Sequence, residues 1–332
     1  MNPLFPCILL LVAFAGTGVA WSASVRSEAP PVGSLRITVL STMLAGELNK
    51  GIGEWGFAAL VEVDGRRLLF DTGQRPSTVH HNARELGIDL SDVDDLILSH
   101  HHGDHIGGLL TLRRAFVQES PAALCRTHLA VGAFVSRGPG HYAGDDNPLI
   151  ALRSAYEATG GIFIEHGGPV ELQAGVWFTG PIPRKHPDEQ PIPRGWVRHA
   201  PDGSLIPDEV PEDAALVFDT KRGLVVLMGC GHAGLINTLE YARRITSRPD
   251  APVYAITGGF HLLQTSDDAL DWTASKLKEF GVRHLHGGHC TGLEAVYRLR
   301  DRLRLPREAA SVAAVGSWFD LDGGLHPLIL AR

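Results

Sequence analysis

The chain has 332 residues, a formal net charge of −7 and 44% hydrophobic residues, which is enough apolar material for one large domain or two ordinary ones. The mild acidity is not offset by a basic stretch, so we do not expect nucleic acid as a partner. Histidine is unusually frequent, with 17 residues, and many of these lie in glycine-rich stretches. The composition therefore favours a globular protein with chemistry based on histidine.

The first 34 residues are set apart from the predicted fold. Residues 8–20 form an apolar run of signal-peptide length that is too short to span a bilayer. No Lys or Arg precedes this run, so an uncleaved anchor or a mis-assigned start are alternatives. We predict a signal peptide and a flexible leader, export to the periplasm or the medium, and no stable membrane insertion afterwards. A cytoplasmic protein is the alternative.

The first half of the remaining chain alternates short apolar runs with amphipathic stretches. A tight turn at Asp64-Gly65 joins two strands, and Gly87 ends a helix. The predicted elements are strands over 36–42, 57–65 and 66–73, a helix over 77–88, a strand over 95–100, a helix over 106–116 and a strand over 125–131.

The second half repeats this alternation. The predicted elements are strands over 215–220 and 223–229, a helix over 235–246, a strand over 251–259, a helix over 267–280, a strand over 282–288, a helix over 293–303 and a final strand over 311–321. Such alternation indicates α/β layers, and two sheets packed face to face between helices would use every element in a single domain over 35–332. Residues 181–213 are rich in proline and charge and are predicted to be a lid or insert.

The stretch LSHHHGDHIGG follows a predicted strand and precedes a helix. His100 and His102 alternate at the strand end and can converge on one point, while Asp104 and His105 can face a second point nearby. Imidazole and carboxylate are preferred ligands of zinc and of manganese or iron. The side chain of His101 is expected to point away from the metals.

Two further motifs end predicted strands downstream. VVLMGCGHAG carries Cys230 and His232, and HLHGGHCTG carries His286, His289 and Cys290. Open α/β sheets build their sites at the carboxyl ends of strands, so these residues are expected to meet on one rim.

These motifs resemble those of a known superfamily. LSHHHGDHIGG matches the HxHxDH signature of the metallo-β-lactamase superfamily, and LLFDTG is similar to its first motif. The resemblance implies an αββα sandwich of two mixed sheets between outer helices, holding one or two divalent ions. TGPIPR, PDEVPEDAALVF, GCGHAG and HCTG further resemble a branch named for the synthase of a dihydropterin–ribofuranosylaminobenzene phosphate. That branch tends to have His where this chain has Trp55.

The resemblance also implies roles for individual residues. His100 and His102 would bind the first metal, Asp104 and His105 the second, with His289 as the last ligand and Asp71 as a buried carboxylate behind the ligands. Many members supply a further His between the two halves, which is absent here, so His232 is the expected substitute. Cys230 is either a thiolate ligand or a small buried residue. The residues with weaker claims are His128, His166 and His186 as competing ligands, His286 as a buried residue behind the site, and His261 and Arg184 (beside Lys185) as substrate contacts.

The resulting functional hypothesis is a metal-dependent hydrolase with two divalent ions, zinc first and manganese or iron as alternatives. A metal-activated hydroxide held by Asp104 would attack an ester, lactone or phosphoester of a small molecule. One alternative is the pterin-condensing transferase of the named branch, and another is a binding or sensor protein without turnover. The sequence does not predict the oligomeric state.

Overall fold

The structure is a computed structural model that describes residues 31–140, 145–186 and 195–331. Most of the predicted leader, residues 1–30, and residues 187–194 of the predicted lid lie outside these ranges. Within the described ranges, no helix combines the length and apolarity needed to cross a bilayer.

The described chain contains strands and helices in alternation. The strands are β1 (Leu35–Ser41), β2 (Ala58–Val63), β3 (Arg66–Phe70), β4 (Asp95–Ile97), β5 (Arg126–Ala130), β6 (Arg137–Pro139), β7 (Ile162–His166), β8 (Val170–Gln173), β9 (Val176–Phe178), β10 (Trp196–His199), β11 (Leu205–Pro207), β12 (Ala215–Thr220), β13 (Gly223–Met228), β14 (Val253–Gly258), β15 (His284–Gly287), β16 (Ala310–Val312), β17 (Trp318–Asp320) and β18 (Gly324–His326). The α-helices are α1 (Thr78–Glu85), α2 (Gly103–Ile106), α3 (Leu109–Phe116), α4 (Pro148–Glu157), α5 (Leu235–Ile245), α6 (Asp267–Phe280) and α7 (Leu293–Leu303).

The strands form two large mixed sheets and one small one. The first has the order β18-β17-β1-β2-β3-β4-β5-β7, antiparallel as far as β3 and parallel beyond it. The second has the order β16-β15-β14-β13-β12-β9-β8, with its parallel strands from β16 to β13. Strands β11, β10 and β6 make a separate three-stranded sheet. The mixed α/β architecture predicted from the sequence is confirmed.

The buried side chains divide into three layers of core. Alternate residues of β2 face opposite sides, so Val61 packs with Phe218 of the second sheet in the central layer, while Leu60 packs with Leu109 of α3 outside the first sheet. The third layer lies outside the second sheet, where its strands pack against α5, α6 and α7. Two sheets packed face to face between outer helices result, as expected for an αββα sandwich.

Two predictions about individual segments were wrong or incomplete. The final strand predicted over 311–321 is two strands, because the chain turns at Gly316 (φ 87°) and leaves β16 in the second sheet and β17 in the first. Continuous burial on both sides of the turn hides this break in the sequence pattern. The described part of the predicted lid contains β10 and β11, which pair with each other and, through β10, with β6.

Candidate metal centre

The predicted ligands lie at the carboxyl ends of strands from both large sheets. His100 and His102 follow β4 of the first sheet, while Cys230 and His232 follow β13 of the second. His289 follows β15 in a short 3₁₀ turn. Because the two sheets face each other, these strand ends meet at a single rim.

Three histidines form one group, called here the three-histidine group: His100, His102 and His232. One ring nitrogen of each lies within 4.8 Å of the others. Nε2 of His100 is 3.0 Å from Nδ1 of His102, and the His232 ring centroid lies 4.7 Å and 4.8 Å from those of His100 and His102.

Four other side chains form a second group, called here the mixed group: Asp104, His105, Cys230 and His289. The Sγ atom of Cys230 lies 3.1 Å from Nε2 of His105 and 3.2 Å from Nε2 of His289. Asp104 Oδ2 is 3.3 Å from the same nitrogen of His289. This position favours Cys230 as a ligand over Cys230 as simple packing.

The two groups adjoin and differ in protonation. The ring centroids of His100 and His105 are 4.2 Å apart. Burial, followed by neighbouring histidines, lowers the pKa of His102 to about 3 and holds the pKa of His100 and His232 well below the usual value. Burial also opposes a charge on His105, but Asp104 and Asp71 outweigh it and raise the pKa of His105 to about 9. The three-histidine group is therefore neutral at pH 7.

Asp71 supports both groups from behind. Its Oδ2 lies 2.7 Å from Nδ1 of His105 and accepts a hydrogen bond of 2.8 Å from the hydroxyl of Ser99, which in turn lies 2.8 Å from Nδ1 of His100. Asp71 is fully buried, with φ at 55°, a strained value for a residue other than glycine. These contacts leave Nε2 of both His100 and His105 directed to the site.

The donor set fits divalent ions of the zinc class. Imidazole, carboxylate and thiolate are the usual ligands of such ions, and three or four ligands per ion are available here. Nε2 of His232 is buried and has no hydrogen-bond partner in the described structure. Buried polar atoms are normally paired, so an unpaired ring nitrogen directed to neighbouring imidazoles is a feature that a bound cation would explain.

We expect Asp71→Asn to weaken zinc binding by the mixed group by about 10- to 100-fold, the usual effect of losing a carboxylate that orients a ligating histidine. Competition with a chromogenic chelator would measure it. Asp95→Asn is a matched control, because Asp95 is also buried and bonded to a histidine but lies at His128, Arg66 and Arg126. Equal weakening in both variants would contradict the assigned role of Asp71.

A buried ionic network behind the centre was not predicted. His101 turns to Glu212, with 2.5 Å between Nδ1 and Oε1, and Arg137 lies 3.2 Å from Glu212 and 3.1 Å from Asp208. These contacts join the metal-binding turn to β6 and to the residue after β11. The acidic run PDEVPED before β12 was the sequence signal for this network. The side chains that pair with its carboxylates are distant in sequence, so the pairing itself could not be predicted.

Asp213 was also missed. Its Oδ2 accepts a hydrogen bond of 2.8 Å from the backbone N–H of Ala233, next to His232. Burial raises the pKa of Asp213 to about 7. The carboxyl group thereby fixes the GCGHAG loop in place.

The remaining candidate residues fall into two sets. His261 lies at the site, with its ring centroid 4.5 Å from that of His232 and a buried, unpartnered Nδ1. Arg184 instead donates to the carbonyl oxygens of Glu209 and Val210. The other histidines with weaker claims bond elsewhere: His128 with Asp95 and His166, His186 with Glu240, and His286 with Thr257 and Ser317.

A cleft of about 360 Å³ opens beside the two groups. Its described lining is His101, His102, Gly103, Asp104, Asp146, Pro148, Trp196, Asp208 and Val210. The three-stranded sheet supplies one wall through β10, so the insert positions a substrate-sized space next to the ligands.

Comparison with known proteins agrees with this geometry. The profile of the metallo-β-lactamase superfamily matches residues 56–121, which include the HxHxDH turn. A crystal structure described as a metal-dependent hydrolase of the β-lactamase superfamily is 28% identical, with a TM-score of 0.65 over 86% of this chain and 98% of the other. Residues 56–121 thus match the metallo-β-lactamase superfamily, and the described chain is similar in fold to a member of it.

Two further proteins are similar to this chain. The 7,8-dihydropterin-6-methyl-4-(β-D-ribofuranosyl)-aminobenzene-5'-phosphate synthase of Methanocaldococcus jannaschii is 29% identical over 273 residues, covering 80% of this chain and 90% of the synthase. The metallo-β-lactamase fold protein YhfI of Bacillus subtilis is 13% identical, with a TM-score of 0.52 over 86% of this chain and 99% of that protein, and shows the shared fold alone. The chain is thus similar in sequence to the synthase of M. jannaschii over most of both chains.

Proposed function

We propose that this protein is a metal-dependent hydrolase of small carboxylic esters or lactones. The observation that carries the proposal is the juxtaposition of the three-histidine group, the mixed group and the adjoining cleft. Two zinc ions would fit these groups, with manganese or iron as alternatives.

Bound zinc would supply a nucleophile at neutral pH by lowering the pKa of water and would polarise the carbonyl oxygen of the substrate. The chain contributes orientation. Burial opposes a charge on Asp104, but His105 and His289 outweigh it and lower its pKa, so the carboxylate is ionised and can bind the second ion or hold the attacking water by a hydrogen bond. His261, whose ring lies beside that of His232 and is only partly buried, is the proposed substrate contact at the rim.

An exposed carboxylate at the cleft wall supports uncharged esters and lactones as substrates, whereas Asp208 pairs with Arg137 and Asp104 belongs to the mixed group. The described lining of the cleft contains three carboxylates, those of Asp104, Asp146 and Asp208, and no lysine or arginine. Sites that recognise phosphate usually present arginine, lysine or a helix N-terminus, and of these the described lining offers only the first residues of α2 and α4, Gly103 and Pro148. An uncharged substrate avoids repulsion by Asp146, which is exposed at the wall.

The second candidate is the pterin-condensing transferase. The 29% identity to the synthase of M. jannaschii over most of both chains supports it. The exposed Asp146 at the cleft wall weighs against it, because a diphosphate leaving group carries several negative charges. Export, which we also propose from the apolar N-terminus, argues against cofactor assembly. A binding or sensor protein is the third alternative.

Hydrolysis can be tested with the zinc-loaded full chain. p-Nitrophenyl acetate, γ-butyrolactone and bis-p-nitrophenyl phosphate would be assayed before and after chelation and after restoring zinc or manganese. We expect metal-dependent turnover of the ester and the lactone above that of the phosphodiester. Full metal loading without turnover of any of them would contradict a hydrolase and favour the transferase or the sensor.

The two ligand groups should differ in the pH dependence of metal uptake. Ligands must lose their protons to bind, and the metal-free mixed group holds one on His105, with pKa about 9, and one on Cys230, whose pKa burial raises well above its usual value. Its zinc affinity should therefore rise at least about tenfold per pH unit between pH 6 and 8. The affinity of the three-histidine group should stay nearly constant, because its histidines are already neutral. Chelator competition at several pH values would measure both, and equal slopes would contradict the assigned protonation.

A further inference from the structure

A tryptophan stands at the rim of the mixed group. Trp55 is 41% exposed, and its ring centroid lies 4.8 Å from that of His289, at an interplanar angle of 53°.

The loop that presents Trp55 is held rigidly by its neighbour. Glu54 is only 5% exposed and accepts hydrogen bonds from the hydroxyl of Ser41 (2.7 Å) and from the backbone N–H groups of Gln74 and Arg75 (both 2.9 Å). The backbone N–H of Glu54 donates a hydrogen bond of 2.9 Å to the carbonyl oxygen of Thr42. The loop is thereby fixed to the end of β1 and to the segment after β3.

The same loop lies directly against the metal-binding turn. Phe57 donates its N–H to the carbonyl oxygen of Asp104 at 3.2 Å. A side chain at Gly56 would place Cβ 2.8 Å from that oxygen, and one at Gly53 would place Cβ 2.3 Å from the carbonyl oxygen of Met43. Only glycine permits this approach, so the position of Trp55 is coupled to that of Asp104.

A second exposed apolar side chain flanks the same ligand segment. Leu263 is 52% exposed, and its N–H donates to the carbonyl oxygen of Cys290 at 3.1 Å. Its Cδ1 lies so near Gly292 that a Cβ there would be 2.8 Å away. Trp55 and Leu263 thus both lie beside residues 289–292.

We propose that Trp55 is a specificity-determining residue that packs against an apolar or aromatic group of the substrate, with Leu263, next to Cys290 and Gly292, as a second apolar surface on the same ligand segment. This inference rests on the proposed function and names its substrate class as esters or lactones with a hydrophobic acyl chain or ring. A large apolar side chain held exposed on a fixed loop beside a ligand offers a preorganised surface, which reduces the entropic cost of binding. Tryptophan also provides much contact area with few rotatable bonds.

The test compares acyl-chain selectivity in the zinc-loaded full chain. The kcat/KM values for p-nitrophenyl octanoate and p-nitrophenyl acetate would be measured in the wild type, Trp55→Ala, Trp55→Phe and Ile162→Ala. Ile162 is a matched control, because it is 52% exposed but lies on the edge strand β7. We expect Trp55→Ala to lower the ratio of the octanoate kcat/KM to the acetate kcat/KM by roughly ten- to hundredfold, the range for a lost hydrophobic contact. Trp55→Phe should retain most of the wild-type ratio. Metal content should be unchanged in all variants.

A binding measurement separates this inference from the proposed function. Calorimetric titration with octanoate and acetate, which are not turned over, should show tighter octanoate binding in the wild type and a reduced difference in Trp55→Ala. Such binding without ester hydrolysis would overturn the proposed function and leave the role of Trp55 standing. Hydrolysis with the same octanoate-to-acetate ratio in the wild type and Trp55→Ala would overturn the role of Trp55 and leave the proposed function standing.

Discussion

Replacing His102 by alanine is expected to remove one of the two proposed metal ions and nearly all of the proposed hydrolytic activity. His102 contributes one of three neutral imidazoles to the three-histidine group, and its ring lies 3.0 Å from the next ligand nitrogen. Loss of an outer contact to a ligand already costs about 10- to 100-fold in metal affinity, so loss of the ligand itself should cost more than about 100-fold. Elemental analysis after dialysis should fall from two equivalents to one.

The matched control for this experiment is His186→Ala. His186 bonds with Glu240 on α5 and belongs to neither ligand group. It should retain both equivalents of metal. Full stoichiometry in His102→Ala, or equal loss in both variants, would refute the assignment of the three-histidine group.

Replacing Arg137 by alanine is expected to lower the free energy of unfolding by about 3–5 kcal/mol, the cost of breaking a buried ion pair by removing one partner. Its side chain is fully buried between Asp208 and Glu212 and also donates to the carbonyl oxygens of Gly132 and Val135. The variant would leave two buried carboxylates without their cation. Urea unfolding followed by circular dichroism would measure the change.

Arg153→Ala provides the comparison for Arg137→Ala. Arg153 pairs with Glu157 one helical turn away on the exposed face of α4. Exposed pairs of this kind contribute about 0.3–0.5 kcal/mol, so its unfolding midpoint should barely move. A change in Arg137→Ala as small as that in Arg153→Ala would show that the network contributes little to stability.

The sequence predicts much of the fold because its local helix and strand patterns agree with the packing in the folded chain. Helix α6 occupies the predicted range, since Ser266 caps its first turn and Gly281 adopts the left-handed conformation that ends it. The break between β16 and β17 was missed because both strands are apolar and separate only in three dimensions. A strand joins one sheet or the other according to partner strands that are distant in sequence. The apolar pattern of the strand itself does not identify these partners.

The candidate site also contains residues that the sequence predicts and residues that it does not. Residues of the HxHxDH turn are predictable because four potential ligands stand within six positions at one strand end. Cys230 could not be assigned before the structure, because a thiol at a strand end is equally compatible with packing. Glu212 and Asp213 belong to no recognisable sequence motif. Their roles follow only from their contacts with His101 and Ala233, which are distant in the chain.

The ligands come from both sheets, so ions held here would bridge the two faces of the sandwich. Any ion that binds only the folded form stabilises it by mass action, by about 4 kcal/mol at a thousandfold excess over its dissociation constant. The melting temperature would then depend on the free zinc concentration of the surroundings. A chain without its ions would then open more often and be cut more readily by proteases than the loaded form.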